Sequence, residues 1–316
     1  MADTVADIGE FGLLDRLRAA IPTPVGARVG IGDDAAVVDV AAPVVIGVDA
    51  VVEDRHFRHD WVSADDVGHR AAAAAMADVA AMGGTPAALL VAVTVPPDTT
   101  VDWVTELLLG INDEAEQVGA GVVGGDLTRG DSIVVSVTAM GSAEQVVRRD
   151  GAEVGDVVAI AGRQGWAAAG LTVLSRGFRS PRSLVQAYGR PHPPYDSGPA
   201  AAAAGATAMI DVSDGLMADI AHLARASGVV VDLESELIPV ADQLQETSSA
   251  FNVDPLTWVL AGGDDHSLVA AFPAGTALPQ MFTAIGRAVV PGTNGPGVAV
   301  DGRMWSGQGG GYDHFR

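Results

Sequence analysis

The sequence predicts an α/β (α+β) chain of two domains, and three observations support this. Strands alternate with helices along the whole length, 316 residues exceed one ordinary core, and 48% hydrophobic against 18% charged residues supplies enough apolar surface for two. Residues 10–20 read as a short helix, and VVIGVDAVV (44–52) has the unbroken apolar character of a buried strand. From Val67 to Met82 the run VGHRAAAAAMADVAAM consists of helix formers and stops at Gly83 and Gly84. Strand ALLVAVTV (88–95), helix DWVTELLLGINDEAEQVG (102–119), strand GAGVVGG (119–125) and strand SIVVSVTAMG (132–141) complete the first half. VRRDGAEVGD (147–156) is rich in turn residues and runs into strand VVAIAG, so a domain at 1–148 is separated here from one at 149–316. The second half continues with helix WAAAGLTVLSRG, the proline-rich RPHPPYDSGP (190–199), helix AAAAAG, strand AMIDV, helix LMADIAHLARASG and strand VVVDL (229–233). Helix PLTWVLAGG, strands HSLVAAF and IGRAVV and a hairpin near VAVDGRMW close it, and no tandem repeat of the kind that builds solenoids or propellers is present.

Composition excludes several kinds of function. A formal net charge of -22 would repel nucleic acid. MADTVADIGEFGLLDRLR has no basic region followed by an apolar stretch, and no segment is long and apolar enough to span a bilayer, so the expected compartment is the cytoplasm. The absence of cysteine removes disulfides, thiolate metal sites and thiol nucleophiles, leaving oxygen and imidazole as ligands. Every basic residue is arginine, so neither the Walker A lysine nor the strand lysine of protein kinases is available to hold a phosphate. Nucleotide phosphates would have to be neutralised by arginine, glycine-rich backbone and metal ions.

Several carboxylates stand where a core or a strand end is expected. Asp33 and Asp34 follow the glycine-spaced turn of VGIGDDAAVV, Asp49 interrupts an apolar strand, and Asp78 lies in a helix that is apolar all round. Buried without a partner, Asp78 would cost several kcal/mol, so it should meet a cation or an arginine. Asp126 ends strand GVVGGD behind two glycines that let backbone approach a ligand, and Asp211 and Asp214 bracket Ser213 between a strand and a helix. Each has a bland alternative. Asp33 and Asp34 suit a turn, Ser213 or Asp214 suits a cap for the helix at 216, Asp126 suits a hairpin and Asp78 could pair with Arg70. Taken together, acids at strand ends tend to converge on one sheet edge, where a pair 4 Å apart repels by about 4 kcal/mol at an effective dielectric of 20. Multivalent cations relieve this, and all-oxygen ligands favour magnesium, calcium or manganese.

At these residues the chain resembles the thiamine-monophosphate kinase family, within the superfamily of aminoimidazole ribonucleotide synthetase, selenophosphate synthetase and the hydrogenase maturation carbamoyl dehydratase. GEFGLLDRL, GIGDDAA, VDAVVEDRHF, MADVAAMGG, GGDLTRG, RRDGAEVGD, IDVSDGLMADI, LAGGDDHSL and GYDHF are similar to that family's blocks and stand in its order. The resemblance implies a PurM-like fold and a homodimer that pairs the sheets of its N-terminal domains, with ATP and several magnesium ions near that interface. It implies metal ligation by Asp34, Asp49, Asp78, Asp126, Asp211 and Asp214, with backbone help from Gly47 and Val48. It also implies ATP contacts from Gly125, Asp126, Arg149 and Ser213, and contacts to thiamine monophosphate from His56, Asp264 and Tyr312. For His56 the residues alone suggest a surface histidine beside Arg55 and Arg58. Gly47 and Val48 replace the family's Ser or Thr, GGED becomes Gly262-Gly263-Asp264-Asp265, and His266 replaces the following tyrosine. The implied reaction is in-line transfer to an acceptor that is already anionic, so positioning and charge neutralisation suffice and no catalytic base is assigned. Of the rivals, selenophosphate synthetase is disfavoured by the missing cysteine and lysine, and a non-catalytic acidic metal-binding protein would release no ADP.

Overall fold

The computed structural model describes residues 3–31, 35–41 and 43–306, which fall into two compact units. One runs up to Val79 and resumes at Thr85–Ala143; the other comprises Ala80–Gly84 and the chain from Glu144 onward. No helix among the described residues is long and apolar enough to cross a membrane.

The N-terminal unit is built on β3 (Val44–Val52), β4 (Thr85–Val95), β5 (Val122–Arg129) and β6 (Val134–Ser142), in the order β3-β6-β4-β5. β6 is antiparallel to both neighbours, whereas β4 and β5 are parallel, their crossover made by α3 (Val101–Glu116). Pro86 is tolerated in the central strand because it sits at a register shift between Pro86 and Ala88. One sheet face is buried through Val51, Val91, Val93, Val135 and Val137, while the other leaves Val44, Ile46, Val48 and Leu90 exposed. Helix α2 (Ala64–Ala81) lies on the buried face, with Ala71 to Ala77 all inaccessible, as a helix apolar all round requires. A short ladder joins β1 (Ala27–Val29) and β2 (Val37–Val38). Helix α1 (Val5–Ala20) starts earlier than the predicted residue 10, because Thr4 and Asp7 form a capping box; Gly9 (φ 70°) kinks it.

The C-terminal unit holds a seven-stranded sheet of β7 (Val157–Ala161), β8 (Ala208–Val212), β9 (Val230–Leu233), β10 (Ser267–Phe272), β11 (Phe282–Val289), β12 (Gly297–Val300) and β13 (Arg303–Met304). Its order is β13-β12-β9-β11-β7-β10-β8, so the fully buried β8 lies at one edge. Helices α4 (Trp166–Ser175), α5 (Arg182–Gly189), α6 (Ser197–Ala203), α7 (Leu216–Ser227), α8 (Asp242–Phe251) and α9 (Pro255–Ala261) complete the unit. Its core gathers Leu184, Leu216, Ile220, Leu244 and Trp258 against Val158, Ile210, Val231 and Val269. The sequence reading misses α5 and α8, which are short, and α8 (DQLQETSSAF) buries only Leu244, Thr247 and Ser248.

Candidate functional site

Each unit carries its own acidic cluster. In the N-terminal unit the cluster begins where α2 crosses β3. Asp78 is the one partly exposed position in the run Ala71–Ala81, and its side chain fills the space that Gly47 leaves open. A Cβ built on Gly47 would stand 3.3 Å from Asp78 Cβ and 3.4 Å from its Oδ2. Gly47 and Asp49 are two residues apart on a strand and share a face, so the Asp78 carboxylate reaches the same stretch of β3 as Asp49. Gly47 is therefore explained by Asp78, which needs that volume. The alternative pairing with Arg70 has to bridge eight residues of one helix, about 12 Å of rise. Asp49 Oδ1 accepts the Ala50 N–H at 2.6 Å. Val48 is 63% exposed and faces the other side.

Asp126 corrects the sequence reading. It does not end a strand, since β5 continues to Arg129, and it does not converge with Asp49 within the sheet. Register pairs Asp49 with Val137, Val137 with Val91 and Val91 with Gly125. Asp126 is one residue further along and thus points to the opposite face, from the opposite edge strand, about 14 Å away across three strand spacings. It shares the exposed face with Thr128, whose Oγ1 lies 3.0 Å from that of Thr94. Gly125 is also accounted for locally: a Cβ there would meet Val91 O at 1.9 Å, so its missing side chain makes room for β4. His56 follows β3 half-buried, its Nδ1 accepting the Val52 N–H at 2.9 Å, which leaves the ring proton on Nε2.

In the C-terminal unit β8 delivers Asp211 to the end of the sheet, where His266 Nδ1 lies 3.2 Å from Asp211 Oδ2, both side chains buried. Ser213 and Asp214 follow in the turn before α7. Neither caps the helix. Asp219, in its first turn, reaches back to that turn instead, accepting the Asp214 and Gly215 N–H groups on Oδ2, each at 3.0 Å. Burial, and then the charge of Asp211, push the Asp219 carboxyl up to about 7, against the lowering effect of those two N–H groups. Arg149 is exposed, and its carbonyl accepts the Ser227 hydroxyl at 3.0 Å. Its charge reaches α7: burial of His222, then Arg225 and Arg149, lower that imidazole's pKa, while Asp214 opposes them.

The loop before β10 docks directly on the Ser213 turn. Asp264 N–H donates to Ser213 O at 2.8 Å, and a Cβ on Gly263 would meet that oxygen at 2.1 Å. Asp264 and His266 both hold positive φ (66° and 51°), a strain that this docking sustains. Asp265 is 3% exposed, and its Oδ1 accepts the Ala167 N–H at the start of α4 at 3.0 Å. Asp34 and Tyr312 lie outside the described residues. The sequence reading passes over Asp219, which an acid in the first turn of α7 signals, and names Asp265 and His266 without their partners, which nothing local signals.

Burial pushes the Asp265 carboxyl up to about 7, against the backbone N–H groups of Ala167, Gly165 and Trp166. An unfolded aspartate titrates near 3.9, so between about pH 4 and 7 the folded chain holds a proton that the unfolded chain has released. Stability from this group is therefore lost as pH rises through that window. Asp265→Asn keeps an acceptor for Ala167 and removes the titration. The stability of the variant relative to wild type, from denaturant unfolding in metal-free buffer, is expected to rise between pH 5 and 7.5. A flat difference would show that the acid is not perturbed.

Residues 32–143 match the family described as AIR synthase related protein, N-terminal domain. The thiamine-monophosphate kinase of Mycobacterium tuberculosis is 42% identical over 312 residues, covering 97% of this chain and 92% of that protein. The chain belongs to the thiamine-monophosphate kinase family. Solved structures of the family agree with the fold. That of the kinase from Stenotrophomonas maltophilia superposes with a TM-score of 0.82 at 32% identity, over 94% of this chain and 98% of that one. "AaThiL complexed with AMPPCP and TMP" gives 0.81 at 32% identity, over 97% of each chain. The match extends through both units.

Proposed function

We infer that this chain transfers the γ-phosphoryl group of ATP to the phosphate of thiamine monophosphate, giving thiamine diphosphate and ADP. The observation that carries this reading is the end-to-end match to a thiamine-monophosphate kinase at 42% identity. A structural relative binding AMPPCP, a methylene analogue of ATP, together with TMP supports it. The donor sets suit magnesium, which takes oxygen ligands, usually a few carboxylates with substrate phosphates. Asp49 and Asp78 would hold such ions in one unit and Asp211 and Asp214 in the other, with Asp34 and Asp126 as further ligands and Gly47 and Val48 offering only backbone. Bound magnesium would supply charge neutralisation to the transferring group. Gly125 backbone, Ser213 and Arg149 are assigned to ATP, and His56, Asp264 and Tyr312 to thiamine monophosphate. The acceptor is already anionic, so these residues have to orient it and exclude water; none needs to remove a proton.

A homodimer fits the exposed sheet face, where Ile46 (65% exposed), Val48 and Leu90 present apolar surface that a second copy would cover. Asp126 stands on that face, so the same interface would bring it toward the partner. The cytoplasm is the compartment this reading assigns.

ADP release that requires thiamine monophosphate tests the reading; release that is indifferent to it contradicts the reading. Asp264→Asn tests the acceptor contact, and asparagine is preferred to alanine because φ is 66°. The Michaelis constant for thiamine monophosphate is expected to rise about tenfold or more, with that for ATP nearly unchanged. Equal constants for variant and wild type would remove Asp264 from the pocket.

A further inference from the structure

We propose that Asp65, His69 and Asp113 form a separate site for a divalent transition-metal cation such as zinc, cobalt or manganese, on the helical side of the N-terminal unit. One ligand atom from each lies within 4.8 Å of the other two. Asp65 and His69 are four residues apart, on one face of the first turns of α2, and Asp113 projects from α3. From His69 to Asp78 is nine residues, about 13 Å of helix, so the site is distinct from the carboxylates over β3.

The imidazole is built into this position. His69 is 8% exposed, and its Nδ1 lies 2.9 Å from Oε2 of Glu114, itself 2% exposed and also taking the Gln117 amide at 2.7 Å. A carboxylate can only accept, so Nδ1 donates to Glu114, and Nε2 is the ring nitrogen on the Asp65 side. Asp65 Oδ1 stands 3.9 Å from Nε2, an ion-pair separation too long for a hydrogen bond. A carboxylate fixing the far nitrogen is the usual support of a metal-binding histidine. The helix crossing is equally constrained. A Cβ on Gly68 would meet Leu107 O at 2.1 Å and one on Gly110 would meet Asp65 O at 2.3 Å, so the two helices touch through backbone beside the three ligands. Ligand bonds of about 2.1 Å in a tetrahedral set place ligand atoms roughly 3.4 Å apart, so an ion would draw the three together by more than about 1 Å, chiefly through the exposed Asp113 side chain. One imidazole and two carboxylates favour zinc, cobalt or manganese over magnesium and calcium, with water filling the other positions. Such an ion would pin the start of α2 to α3.

The test is calorimetric and spectroscopic titration of the chelator-treated full chain with Co2+ alone. It is done in an Asp49→Asn/Asp78→Asn background, so that a failure of the phosphate-site assignment is read separately. One equivalent of Co2+ with an imidazole-shifted visible spectrum is expected to bind, counted apart from any ion that Asp211 and Asp214 hold, and Asp113→Asn is expected to weaken that equivalent alone at least tenfold. His69→Gln should abolish it; if that variant does not fold, the exposed Asp113 still decides the outcome. Absence of the equivalent in the background chain, or equal binding by the Asp113→Asn chain, overturns the proposal and leaves His69 as an ion-pair partner only.

Discussion

Asp49→Asn is expected to fold as wild type and to lose on the order of 10²–10³-fold in turnover. The amide keeps the volume and an acceptor for the Ala50 N–H but removes the charge that would hold magnesium beside Asp78. β3 is an edge strand, and Asp49 is only half-buried there, so the fold loses little. The melting temperature in metal-free buffer should stay within a few degrees of wild type while phosphoryl transfer collapses. Near wild-type turnover at millimolar magnesium would remove Asp49 from the site. A large fall in melting temperature would assign it to the fold.

Gly125→Ala is expected to have the opposite signature. A Cβ at 1.9 Å from Val91 O cannot be accommodated without separating β5 from β4, and the atom it meets is backbone that cannot rotate away. The cost should exceed about 3 kcal/mol, at the upper end of single substitutions, and should appear as a large loss of melting temperature with or without ATP. A stable variant with only a raised Michaelis constant for ATP would mean that the glycine serves the nucleotide and that the strand relaxes more easily than its packing indicates.

These two expectations show where the sequence was informative. The buried alanine helix and the strand-turn-helix around Asp211 are each written in one contiguous segment, so local pattern reveals them; the run around Asp49 is a strand as expected, but an edge strand with Val44, Ile46 and Val48 exposed rather than a buried one. The position of Asp126 is different. GVVGGD ends in residues that read as a strand terminus, yet the strand continues through Leu127, Thr128 and Arg129. Its face depends on a register set by two neighbouring strands. A slip of one residue would move Asp126 to the side of Asp49, and nothing within the segment specifies which register wins. Asp265 is hidden for a related reason: it accepts from Ala167, 98 residues earlier in the chain, so its role arises only from tertiary contact. The pairing of His266 with Asp211 is of the same kind, joining residues 55 apart.

The most direct test of the central assignment follows the γ-phosphate itself. With ATP labelled at that position, thiamine monophosphate and magnesium, the label is expected to appear in thiamine diphosphate in one-to-one ratio with ADP and to be absent from inorganic phosphate. Label released as inorganic phosphate, or ADP formed at the same rate without the acceptor, would contradict direct transfer and place this chain among ATP-using proteins that act on another substrate.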